Sequence, residues 1–113
     1  MTIKDTRLRE FQRALQDATE NLAADIAAAQ GNAELIQKIQ ANYWKHHANW
    51  SMAATAALEK NNDRIQALFD DAKAANKAIK EARKKAEDIA TIVRSSSNVA
   101  TALTQLLENV AKA

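Results

Sequence analysis

From Ile65 to Val93 the apolar residues return every three or four positions: Ile65, Leu68, Ala72, Ala75, Ile79, Ala82, Ala86, Ile89 and Val93. A helix places such a set along one edge, and about four heptads of it read as a coiled-coil-like rod that must lie against another helix. The chain also has one glycine and no proline, the residues that let a backbone turn sharply. About half of its hydrophobic residues are alanine, the strongest helix former. These features predict an all-α protein.

Two further segments share the period. In the first, Leu8, Phe11, Leu15, Ala18, Leu22, Ile26 and Ala29 fall on one helix face. Thr2 and Asp5 are spaced as a capping box at its start, and Gly31 stands where the pattern stops. Asn32 is suited to cap the next helix, whose stripe is Ile36, Ile39, Tyr43, His47, Trp50, Ala54 and Leu58. Ser95-Ser96-Ser97-Asn98 interrupts the third segment, because serines favour caps over helix interiors. Val99, Leu103, Leu106, Leu107 and Val110 then outline a short C-terminal helix.

The reading is a single helical-bundle domain over residues 1–113, with helices at roughly 4–30, 33–60, 63–94 and 98–111. It is an antiparallel bundle of three long amphipathic helices plus a short fourth. The alternative is a helical hairpin with one very long second helix, since the stripe passes through Lys60-Asn61-Asn62-Asp63 without losing phase. That rod would be about 90 Å long at 1.5 Å per residue. Adjacent asparagines are poor helix formers and good caps, which favours a turn.

The packing seam is assigned to Ala72, Ala75, Ile79, Ala82 and Ala86, whose small side chains admit close helix approach. Ala23, Ala24, Ala27 and Ala28 suggest that the end of the first helix runs close to this seam. Such a core is thin in bulky residues, so association with further helices would bury more surface.

Both tryptophans, the tyrosine and both histidines lie between Tyr43 and Trp50. Tyr43, Trp44, His47 and Trp50, with Leu103, Leu106 and Leu107 of the tail, are the candidate partner-binding residues, because aromatic side chains dominate interface energetics. His46 and His47 are adjacent and diverge on a helix, which does not suit a metal site. No nucleophile motif, phosphate-cradling loop or carboxylate pair stands out, so neither an enzyme nor a metal or cofactor is expected. Lys73, Lys77, Lys80 and Lys84 line a face opposite the alanines, but Glu81–Lys85 and Arg83–Glu87 pairs would dilute them. With a net charge of +2 and no aromatic residue among the lysines, a nucleic-acid partner is not favoured. The start lacks a secretory leader pattern and no apolar run approaches the length of a membrane span, so the expected home is cytoplasmic, with leaderless secretion leaving no trace.

The functional expectation is a non-enzymatic helical protein–protein interaction module, associating with itself. The alternative is an amphipathic coat on a membrane or hydrophobic particle; weak nucleic-acid binding ranks below both.

Overall fold

The computed structural model describes residues 2–113. They form α1 (Ile3–Ala28), α2 (Ala33–Ala53), α3 (Asp63–Lys84) and α4 (Ile89–Lys112), with no strand among the described residues. The four helices pack against one another in a body of 43 × 24 × 21 Å, which rules out the 90 Å rod of the hairpin alternative.

Each start has a side-chain cap. At α1, Thr2 Oγ1 accepts from the Asp5 N–H at 3.1 Å and Asp5 Oδ2 accepts from the Thr2 N–H at 3.3 Å, the reciprocal capping box. These bonds hold the Asp5 carboxyl below its usual range. Asn32, Asn62 and Asp88 accept from the N–H three residues on and start α2, α3 and α4. Between α1 and α2 the backbone turns through left-handed Gln30 and Gly31, at φ 49° and 80°. A Cβ on Gly31 would meet nothing within 4 Å, so glycine is favoured there by conformation, not by space.

The asparagine pair does mark a turn. α2 stops at Ala53 rather than near residue 60, and an irregular stretch leads to Asn62. Arg7 of α1 reaches into this stretch. Its Nη1 donates to the carbonyls of Leu58 at 2.8 Å and Lys60 at 2.6 Å, and its Nη2 donates to Asn61 Oδ1 at 2.6 Å. The guanidinium also lies 5.8 Å from the centre of the Phe69 ring.

The later boundaries correct the sequence reading. α3 ends at Lys84, about ten residues early, and α4 runs unbroken through Ser95–Ser97. Ile89 and Val93 therefore belong to α4, which is a full-length helix and not a short appendage. At the break, Ala86 adopts φ 52°. The Ala86 N–H donates to Arg83 O at 3.2 Å and the Glu87 N–H to Ala82 O at 2.9 Å, which is the bonding of a Schellman motif with alanine in the position that glycine favours.

α3 packs most extensively on α4, α1 on α2, and α2 on α4; α1 meets α3 and α4 over shorter stretches. The core gathers Phe11, Leu58, Ile65, Leu68, Ala72, Ile79, Val99, Leu103, Leu106 and Val110. Within the expected alanine seam, Ala72, Ile79 and Ala82 are buried and Ala75 packs at the core edge. Ala86 is exposed, because the chain has left the helix there. Ala23, Ala24, Ala27 and Ala28 are also exposed, so they form no buried seam. Toward this end α1 and α3 are bridged by charge. Arg83 Nε and Nη2 donate to Asp17 at 2.8 and 2.9 Å, and its Nη1 and Nη2 donate to Asp25 at 2.8 and 2.9 Å. Asp25 first, then Asp17, stabilise the arginine cation and raise its pKa, against the effect of burial.

The left-handed alanine gives a direct test. Ala86→Gly removes a Cβ that disfavours φ 52°. It should stabilise the fold by about 0.5–1 kcal/mol after the extra flexibility of unfolded glycine is counted, measured by urea unfolding. A destabilised variant would show that the turn tolerates alanine without strain.

Candidate functional site

α2 has two faces of different chemistry, and the inward one is not the stripe expected from the sequence. Ile39, His46, Asn49 and Ala53 are buried, with Asn42 half-buried between them. Tyr43 is half-buried and His47 is exposed. The helix is rotated by about one residue, so that a polar ladder meets α4.

The serines expected to end the third helix supply the other side of that ladder from within α4. Asn42 Nδ2 donates to Ser97 Oγ at 3.0 Å and to Val93 O at 3.4 Å, and Ser97 Oγ donates back to Asn42 Oδ1 at 3.2 Å. His46 Nε2 and Ser96 Oγ lie 3.1 Å apart. Asn49 Nδ2 donates to Ala100 O at 3.4 Å, and Thr104 Oγ1 donates to Asn49 Oδ1 at 3.3 Å. Because α4 satisfies these side chains, burying them does not carry the full penalty of an unpaired polar group.

His46 is the exception within the ladder, since its Nδ1 is buried with no partner. Burial disfavours the imidazolium and lowers the His46 pKa from 6.5 to about 4. The ring is therefore neutral near pH 7. Its contact with Ser96 does not amount to a catalytic dyad: Nδ1 meets no orienting carboxylate, and at 1% exposure the ring is closed to a substrate. Among the described residues, no group of three or more histidine, aspartate or glutamate side chains converges as a metal site.

The outer face of α2 carries the aromatic residues. Trp44 is 65% exposed. The Tyr43 and Trp44 rings lie edge to face at 5.1 Å, Tyr43 and His47 do so at 5.8 Å, and Trp44 and His47 are tilted at 6.0 Å. These rings lie within the range of favourable aromatic contact. Met52, 59% exposed, continues the face one helical repeat further on, with Ala41 and Ala48 exposed on either side of Trp44.

The structure brings together only part of the expected partner-binding set. Tyr43, Trp44 and His47 are adjacent and reach solvent, whereas Trp50 packs against the core. Leu103, Leu106 and Leu107 are core residues of this chain, which corrects their assignment to a partner surface. They are covered because the lengthened α4 lies between α2 and α3. The sequence reading also missed four buried polar or charged residues, Arg7, Glu10, His46 and Asn49. Arg7 follows the helix period with Phe11 and Ala14, which is the one trace of its burial in the sequence.

Neutral burial of His46 has a signed consequence. The unfolded chain takes up a proton near pH 6.5 and the folded chain only near pH 4, so stability is complete above pH 6.5 and declines as pH falls toward 4. Unfolding free energy should drop by about 2–3 kcal/mol between pH 7 and pH 4.5 in denaturant titrations, and His46→Gln should flatten that slope. An equally steep slope in the variant would place the effect elsewhere.

The chain matches no protein-family model, curated protein or solved structure with which it was compared.

Proposed function

We propose that this chain is a non-enzymatic helical association module that pairs with a second copy of itself through the outer face of α2. The observation that carries the reading is Trp44, a large ring left 65% exposed within a preorganised aromatic cluster. Large aromatic side chains are the usual anchors of protein interfaces, and a ring already held by neighbours loses little freedom on binding.

Self-complementarity supports a second copy as the occupant. Ala41, Trp44, Ala48 and Met52 follow at steps of three and four, so one knob stands between small residues along a single exposed stripe. A twofold pair needs a patch that fits itself, and a ring flanked by methyl groups meets that need when two such helices lie antiparallel. Charge is sparse on this segment: Lys45 is the one charged residue between Lys38 and Glu59. Surface coating has less support, because the long apolar face of α4 lies in the core and not on the surface.

Light scattering from micromolar to millimolar concentration tests the proposal. The expected result is a monomer–dimer equilibrium that Trp44→Ala weakens by about thirtyfold, equivalent to about 2 kcal/mol, without changing the melting temperature extrapolated to dilute protein. A strict monomer throughout, or a variant that dimerises as tightly, would overturn it.

A further inference from the structure

The contact between α1 and α3 leaves an open groove of about 830 Å³, bordered by Arg13, Gln16 and Glu20 on one side and Lys73, Lys77, Lys80 and Lys84 on the other. The seam beneath it is polar. Arg83 holds Asp17 and Asp25, and Asn76 Nδ2 donates to the Glu10 carbonyl and carboxylate, both at 3.1 Å. Ile79 also lines the groove, which stays open above these bridges.

The four lysines are exposed, and none has a carboxylate within ion-pairing distance among the described residues. The expected local pairs do not form: Arg83 turns to α1 and not to Glu87, and Glu81 does not reach Lys85. The lysines recur at steps of four, three and four and cover about 16 Å of helix. The opposite edge differs. Among the described residues the Glu20 carboxylate forms no ion pair and accepts from the neutral Gln16 amide at 3.0 Å, and Arg13 is paired with Glu10 at 3.0 Å. The groove therefore has one cationic edge and one edge that carries unneutralised negative charge.

The geometry points to this groove as a docking site for a helix of a different protein, acidic on the flank facing α3 and basic or neutral on the flank facing α1. A helix lying along α3 presents carboxylates at three- and four-residue steps that match the lysines one to one. A nucleic-acid backbone or polyphosphate is anionic on every side and would meet Glu20 across the groove; no aromatic side chain borders the groove to stack a base. Nor does a second copy of this chain fit, since none of its helices repeats acidic residues at such steps over more than one turn. This surface lies on helices other than α2, so it stands apart from the Trp44 face.

Amide chemical-shift mapping on the full chain at low salt tests the assignment with a synthetic helical peptide of about 18 residues. The peptide carries Glu at three- and four-residue steps on one flank and Lys on the other; the controls are a scrambled peptide of the same composition and inorganic polyphosphate. The expected result is saturable shifts confined to residues 13–20 and 73–84, with the scrambled peptide and polyphosphate binding at least about tenfold more weakly. The double variant Lys77→Glu, Lys80→Glu should lose at least about tenfold in affinity while keeping its thermal melt, because like charges then face one another. It should regain binding to a peptide whose Glu flank is changed to Lys. Trp44→Ala should bind as the natural chain does. No saturable binding at millimolar peptide, equal binding of the scrambled peptide, tighter binding of polyphosphate, or shifts centred elsewhere would each overturn the assignment.

Discussion

Arg7 ties the first helix to the turn between the two halves of this chain, through the carbonyls of Leu58 and Lys60. The segment from Ala54 to Asn62 has no glycine or proline to impose a turn. It is fixed by a guanidinium from the far end of the first helix, which supplies donors to loop carbonyls that no helix satisfies. Burial disfavours the Arg7 cation, and Asp70 nearby partly offsets that cost. Arginine nonetheless stays charged, so its fork can bridge several acceptors at once. Leu58, fully buried beside it, carries the turn into the core.

With that turn in place, α4 can lie between α2 and α3 and present a different edge to each. It gives Val99, Leu103, Leu106 and Val110 to the apolar core shared with α3, and toward α2 it offers Ser96, Ser97 and Thr104. The apolar edge supplies burial. The polar edge fixes the rotation of α2, because Asn42, His46 and Asn49 find partners only when they face it. That rotation also decides the functional reading. With Asn49 inward, Tyr43, Trp44 and His47 stand on the outside; one residue of rotation would bury His47 in place of His46. Buried polarity and exposed aromatic surface are two results of the same constraint.

Signals with a local mechanism were legible in the sequence. The Thr2–Asp5 capping box, the Gly31 turn and the Asn62 cap all occur where residue chemistry alone places them. The turn at Ala86 was hidden, since alanine gives no sign of a left-handed conformation and the apolar stripe keeps its phase across the break. The serine run misled in the opposite direction: its hydroxyls, suited to caps, face asparagine and histidine side chains on another helix, and only tertiary structure reveals that pairing. Arg7 and Arg83 were obscured in the same way, because a charge at a helix position says nothing of a partner more than fifty residues away. Of the proposed surface, Tyr43, Trp44 and His47 were legible as unusual residues, but which of them face solvent was not.

The most direct test of this account is the unfolding free energy of Arg7→Met, measured by urea titration against the natural chain. The side chain keeps much of its length but leaves the Leu58 and Lys60 carbonyls without their donors. A loss of about 3 kcal/mol or more is predicted. A variant within about 0.5 kcal/mol of the natural chain, the ordinary range of a surface substitution, would contradict the claim that this arginine holds the fold together.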